Sequence, residues 1–247
     1  RCIDGLMGRR VSEHESIVRA EAVPRHIGFI VDGNRRWAKR HGLPAYEGHL
    51  AGYNALKDVL LETLHRGVRY ASAYVFSTEN WKRSQEEVGH LMSLFLKILE
   101  SDVALFLQHQ VRLRVIGSRQ GLSEMLQQAI QRAEERTAHL TDGELLLCLN
   151  YGGQLEIADA CRQIIQEGIA ADQVTPELIG QRLYAPEVPP RDLIVRTSGE
   201  QRLSNFMLWR AAYSELYFID KNWPDMTTAD VDTILAEYAT RHRRLGA

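Results

Sequence analysis

Cysteine is scarce. Cys2, Cys148 and Cys161 are the only three in 247 residues, and none stands in a CxxC pair or at a metal-ligand spacing. That excludes a disulfide framework and a thiolate metal centre, and the odd count suits a reducing compartment. Cys148 sits in an apolar run and Cys161 in a helical pattern, so both read as small core residues. A dominant charge is missing too: 30 Lys and Arg face 32 Asp and Glu, a formal net charge of -2. Without a basic field, nucleic acid is not an expected partner. No apolar run reaches the roughly 20 residues that span a bilayer, and the first residues lack a signal-peptide core. The expectation is a cytoplasmic protein. Walker, GxGxxG and HExxH sequences are all absent, so nucleotide hydrolysis, Rossmann cofactors and zinc hydrolysis lose their usual signatures. Proline numbers seven, and its one cluster, over residues 185–190, is short enough for a connection rather than a linker.

What remains is an ordinary globular composition, 45% hydrophobic and 25% charged. Residues 1–23 are polar, with a short helical pattern over 13–22, and read as an N-terminal arm. Residues 24–247 read as one domain. Strand-like runs at 27–31, 69–77, 111–117, 144–149, 192–196 and 216–219 alternate with helical patterns at 46–66, 84–109, 119–138, 153–168 and 226–243. That alternation predicts an α/β fold, a central, mostly parallel six-stranded sheet flanked by helices. In the 84–109 segment, Ser84 and Glu87 form a capping-box pair. Its apolar residues, from Val88 to Leu107, cover a wide arc, so this helix is either buried on several sides or lines a hydrophobic cavity.

The run Ile27-Gly28-Phe29-Ile30-Val31 ends in Asp32-Gly33-Asn34-Arg35-Arg36-Trp37-Ala38. A carboxylate at a strand tip, followed by backbone N–H groups and guanidinium forks, suits a metal-bound diphosphate. The alternative is a plain Asp-Gly-Asn turn with a solvated arginine pair. Three other strand patterns also finish in polar sequence: Ser77-Thr78-Glu79-Asn80-Trp81-Lys82-Arg83, Asn150-Tyr151-Gly152-Gly153, and Arg196-Thr197-Ser198-Gly199-Glu200-Gln201-Arg202-Leu203-Ser204-Asn205. In open α/β sheets ligands sit beyond the carboxyl ends of the strands, so four such endings point to one site. Arg196, Arg202 and Ser204 suit a second phosphate group.

Together with Gly48-His49-Leu50-Ala51-Gly52, Tyr213-Ser214-Glu215-Leu216-Tyr217-Phe218, Trp223-Pro224-Asp225 and Arg244-Leu245-Gly246, these pieces resemble the cis-prenyltransferases, the group of undecaprenyl diphosphate synthase. The resemblance spans about residues 24–246. It implies Mg²⁺-dependent condensation of isopentenyl diphosphate with an allylic diphosphate, in a fold with a hydrophobic tunnel for the growing chain. It implies Asp32 and Asn80 as catalytic residues, with Asp32 and Glu215 at the metal. Gly33, Asn34, Arg35, Arg36, Trp37 and His49 would surround the allylic diphosphate. Ser77 with Asn80 would place the isopentenyl unit, and Arg196, Arg202 and Ser204 would bind its diphosphate. Thr78, Glu79, Trp81, Arg83 and Leu203 complete the implied substrate contacts. A homodimer is implied, the C-terminal Arg244-Leu245-Gly246 reaching the partner's active site, along with peripheral membrane contact for product release.

Two residues depart from the family pattern. Ala45 stands where an arginine, four residues before the histidine, commonly grips the allylic diphosphate. Val75 stands where long-chain bacterial members often carry alanine, and bulk in a packed channel shortens what fits. Altered primer selectivity and a short or medium product are therefore expected. Two other readings accompany this one: irregular coupling of two allylic diphosphates, and a non-catalytic partner subunit. The intact Asp32, Arg196, Arg202, Ser204 and Glu215 count against the last.

Overall fold

A computed structural model describes residues 23–241. The helix expected over 13–22, Cys2 and the terminal Arg244-Leu245-Gly246 lie outside them. Six strands, β1 (His26–Ile30), β2 (Tyr70–Ser77), β3 (Val111–Ile116), β4 (Gly143–Tyr151), β5 (Leu193–Arg196) and β6 (Glu215–Phe218), form one sheet. Every pairing is parallel, in the order β3-β4-β2-β1-β5-β6. All residues of β1 and β4 are buried. Strands buried along their whole length arise because helices cover both faces.

Alternation along the strands divides the core. Ile27 and Phe29 of β1, with Leu145 and Leu147 of β4, join the larger cluster, together with α2 (Ala45–His65), α3 (Gln85–Glu100), α4 (Val103–Gln108), α5 (Glu124–Thr137) and α8 (Thr228–Ala239). Ile30, Leu146, Cys148 and Ile194 face the other way, toward Phe206 and Met207. The remaining helices are α1 (Asn34–Arg40), α6 (Gly153–Gln166) and α7 (Pro176–Gly180).

Several boundaries differ from the sequence reading. The single helix expected over 84–109 is two. The chain turns at Ser101 and Asp102, where the Asp102 carboxylate is drawn to Tyr53 and Lys57 of α2. The wide apolar arc was therefore the sum of two narrower faces: Leu91, Phe95, Ile98 and Leu99 are buried in α3, and Val103 and Phe106 in α4. The capping box is half formed. Ser84 accepts from the Glu87 N–H at 3.2 Å, but the Glu87 carboxylate turns elsewhere. Cys161, read as core, is exposed on α6, whereas Cys148 is buried.

The four strands with polar endings, β4, β2, β1 and β5, are the four central neighbours. From β1 the chain moves to β2 on one side, while β5 continues to β6 on the other. The order of connection thus reverses between β1 and β5, the switch point beyond whose strand tips α/β sheets bind ligands.

Candidate active site

Asp32 leaves the tip of β1 with its backbone clamped. Its N–H donates to Thr197 Oγ1 at 3.0 Å, and its carbonyl accepts from Thr197 Oγ1 at 2.6 Å and from the Trp223 N–H at 3.0 Å. Gly33 follows at φ 111°, in the left-handed region, and a Cβ there would lie 2.7 Å from Asn222 Oδ1. Only glycine fits. Gly48 and Gly52 serve α1 in another way. A Cβ on Gly48 would stand 2.1 Å from the Asn34 carbonyl, and one on Gly52 2.3 Å from Asn34 Oδ1. These glycines let α2 approach α1 and bring His49 to the site.

The Asp32 carboxylate meets two guanidinium groups at one oxygen. Arg196 Nη2 donates to Oδ2 at 3.0 Å, and Arg36 Nη2 lies 3.1 Å from the same atom. The buried Arg196 also donates through Nη1 to Ser204 Oγ at 2.7 Å and to the Arg202 carbonyl at 2.5 Å. One fork therefore ties β1 to the loop after β5. Ser198, Ser204, Asn205 and Met207 in that loop, and Asn150 at the end of β4, are five of the seven non-glycine residues with positive φ among the described residues. Such strain gathers where surrounding structure enforces it, commonly at ligand sites.

Around this core lies a cleft of two lobes. The first holds about 650 Å³ and is lined by Arg35, Arg36, Lys39 and Arg83, with Asp32 as its one carboxylate among the described residues. The second, about 480 Å³, is lined by Ser77, Glu79, Asn80, Arg196, Ser204 and Asn205. Asp32, Tyr74, Asn80 and Arg83 border both. Beneath the first lobe an apolar recess of about 40 Å³ runs among Tyr53, Leu56, Leu94, Phe95 and Ile98, with Val75 and Leu91 shared at the throat. Ala45 lies on the wall of the first lobe.

Glu87 is the residue the sequence reading passed over. Its Oε1 contacts His49 Nε2 at 2.9 Å and Arg83 Nη1 at 3.1 Å, and lies 3.9 Å from Arg35 Nε. Burial opposes its ionisation, yet the His49 hydrogen bond and the Arg83 and Arg35 charges hold its carboxyl below the usual range. It aligns two arginines of the first lobe. The capping-box pattern gave this glutamate a sufficient local explanation and so concealed its second role. Lys39, Thr197 and Asn222 were likewise not singled out.

Several expected contacts lie off the cleft walls. Trp37 donates through Nε1 to Asp225 at 2.7 Å and lies tilted against His41, ring centroids 4.2 Å apart, so it braces α1. Trp81 donates to Asn150 Oδ1 at 2.7 Å and holds the end of β4. Thr78 packs where a Gly152 side chain would be, whereas Glu79 does line the second lobe and accepts from Asn205 at 3.0 Å. The exposed Arg202 side chain pairs with Glu200, and Leu203 packs against the Phe206 cluster. Glu215 does not join Asp32 within this chain. It opens β6 in register with Leu193, three residues before Arg196, and is held by Arg241 at 3.1 Å.

Two buried histidines make stability depend on pH. Burial lowers the His26 pKa well below 6.5, with Arg191 adding to the effect, and burial also lowers that of His49 despite its bond to Glu87. Each ring binds fewer protons folded than unfolded, so the stabilisation is present above the unfolded value of 6.5 and is lost progressively as pH falls from there through the lowered folded values. Urea midpoints should therefore drop between pH 7.5 and 5.5, with a shallower dependence in His49→Asn. An unchanged slope in that variant would refute the assignment.

A parallel α/β fold with a cation-lined cleft, a strand-tip carboxylate and an apolar recess suits an enzyme whose substrates join an anionic head to an apolar part. Residues 30–246 match the undecaprenyl diphosphate synthase family of prenyltransferases, and this chain belongs to it. It is 44% identical over 226 residues to an isoprenyl transferase of Thermotoga maritima, covering 91% of this chain and 97% of that one. An isoprenyl transferase of Chromobacterium violaceum is 45% identical over 223 residues, covering 90% and 88%. Among solved structures, lavandulyl diphosphate synthase from Lavandula x intermedia, in complex with dimethylallyl diphosphate, superposes with a TM-score of 0.88. It is 34% identical and covers 92% of this chain and 100% of its own. The expected family and the parallel sheet are thus both found, and the chain is a prenyltransferase. Among the described residues no helix is long and apolar enough to cross a membrane.

Proposed function

We propose that this enzyme elongates an allylic diphosphate with isopentenyl diphosphate, giving a short- to medium-chain Z-polyprenyl diphosphate. One observation carries the reading: two lobes able to hold diphosphates meet at Asp32 and Asn80, and the first opens onto an apolar recess. Arg35, Arg36, Lys39 and Arg83 would grip the allylic diphosphate. Arg196 and Ser204 would grip that of isopentenyl diphosphate. As the allylic C–O bond breaks, its electron pair leaves with the diphosphate, whose charge the guanidinium groups neutralise. The isopentenyl double bond forms the new C–C bond, and the proton lost from the adjacent carbon passes to a diphosphate oxygen. Asn80 is held for this step, its Oδ1 accepting from the Ser77 N–H at 3.0 Å.

Mg²⁺ suits the donors available. Both Asp32 ion pairs fall on Oδ2, which leaves Oδ1 for a metal, and no cluster of three ligating side chains occurs among the described residues. Magnesium characteristically uses one or two carboxylates together with phosphates and waters. When bound it supplies further neutralisation of the leaving group. Because Glu215 stands apart from Asp32 in this chain, a part for it at the metal requires a second copy, in keeping with a homodimer. A cytoplasmic enzyme, touching the membrane peripherally to release product, fits the same reading.

The test is labelled isopentenyl diphosphate incubated with dimethylallyl, geranyl, farnesyl and geranylgeranyl diphosphates, products being separated by length. Mainly undecaprenyl-length or longer products would overturn the chain-length proposal. Val75→Ala, at the throat of the recess, should lengthen the product by at least one isoprene unit. Ala45→Arg should lower KM for the preferred primer about tenfold or more, since a charge-assisted bond to phosphate contributes about 1.5–3 kcal/mol. Unchanged KM for every primer would sink that idea.

The similarity to a lavandulyl diphosphate synthase holding dimethylallyl diphosphate supports a second reading, coupling of two allylic diphosphates. Dimethylallyl diphosphate supplied alone decides between them: elongation requires that no coupled product form.

A further inference from the structure

A second large cavity, about 630 Å³, lies between α6, α7 and the 208–213 segment, and shares no residue with the cleft or its recess. Its walls are mainly apolar, formed by Ile157, Leu183, Val188, Leu208 and Trp209. Arg191 and Arg210 also line it, and they are only 1% and 5% exposed. Arg191 Nη2 donates to Ser72 Oγ at 3.2 Å, while its Nε and Nη1 find no acceptor. Arg210 Nη2 donates to the Tyr184 and Ala185 carbonyls, and its Nη1 finds none.

The charges around these two arginines do not balance. Glu156 is fully buried, 3.8 Å from Arg210, and already accepts from Tyr151 OH and from the Tyr184 N–H at 3.1 Å. Asp159 is engaged by Tyr184 OH and Arg162, and Glu177 is exposed at the rim. The other groups nearby are neutral: burial pushes the Cys148 thiol up to about 12, raises Tyr151 and lowers His26. Two guanidinium groups thus share one buried carboxylate. Three N–H-bearing nitrogens are left without partners at an apolar cavity, where an unpaired charge is costly. An anion seated there would satisfy them, and the volume lies in the ordinary range of small-molecule sites.

We propose that this groove is a second ligand site, binding a single-chain amphiphile whose carboxylate or phosphate head sits on Arg191 and Arg210 and whose tail lies along Leu183, Val188 and Trp209. The site is independent of the reaction assigned to the cleft. Calorimetric titration of the full chain with dodecanoate tests it, with dodecyl phosphate, dodecanol and inorganic phosphate as further probes.

One saturable dodecanoate site is expected. Arg191→Met should weaken it about tenfold or more by removing a charge-assisted contact. That variant places an apolar chain in a buried position, a change that folded proteins tolerate. Ala212→Trp, on the exposed wall of the groove, should weaken dodecanoate and dodecanol alike, and Arg36→Ala in the cleft should leave dodecanoate binding unchanged. Tighter dodecanoate indicates an acyl carboxylate, tighter dodecyl phosphate an alkyl phosphate, and either supports the site. Dodecanoate binding that survives both groove variants, or is lost in Arg36→Ala, would overturn the proposal. So would inorganic phosphate binding as tightly as dodecanoate. A groove covered by a second copy, seen as a dimer that Ala212→Trp dissociates and that dodecanoate never enters, would overturn it as well.

Discussion

Asp32→Ala should reduce kcat about a thousandfold or more in the labelled isopentenyl diphosphate assay, while the protein stays folded. The magnitude follows from what this carboxylate joins. It is the one acid lining the cation-rich first lobe among the described residues, it borders the second lobe, and its Oδ1 is left for the metal. Asp32 acts on the leaving group through the cation it would hold and the guanidinium groups it positions, and removing one preorganised electrostatic contact typically costs a hundredfold to a thousandfold. The substitution also strips the buried Arg196 of its carboxylate, so stability should fall by about 1–2 kcal/mol, a shift of several degrees in Tm. Asp32→Asn separates the two effects. It keeps a polar partner for Arg196 and so most of the stability, yet removes the charge, and activity should fall nearly as far. An Asn variant with near-native kcat would rule out a metal-holding role.

Arg196→Lys should lower kcat/KM for isopentenyl diphosphate about a hundredfold. One guanidinium reaches Asp32 Oδ2, Ser204 Oγ and the Arg202 carbonyl at the same time. A lysine is a compact point charge without that fork, and cannot hold three partners in divergent directions. The loop carrying Ser204, with its positive-φ residues, would lose its tether to β1. The loss should fall on KM for isopentenyl diphosphate more than on KM for the primer. With Asp32→Ala the double variant should be no worse than the worse single variant, because the two side chains act as a unit. Full additivity would show that they do not.

Much of the fold is legible in the chain because parallel strands buried on both faces leave continuous apolar runs. The six strands fall at the six predicted places, and the four with polar endings prove to be adjacent. The 84–109 helix was misread because apolar periodicity cannot register a turn set by the capture of Asp102 by Tyr53 and Lys57. Trp37 and Trp81 were placed at substrate from their motifs, yet their indole N–H groups brace Asp225 and Asn150. Motif membership tells which residues matter together; it does not tell which of them face the cleft.

The sequence by itself determined the parallel α/β class, the family and the chemistry-bearing segments, because periodicity, strand-tip polarity and ordered motifs are local properties of the chain. Tertiary structure alone decided that Glu87 aligns Arg83 and Arg35, that Arg196 joins the two lobes, and that Glu215 stands apart from Asp32. It also brought Arg191 and Arg210 to one apolar groove. These facts depend on residues far apart in the chain meeting in space, where charge balance and packing choose each side chain's partner.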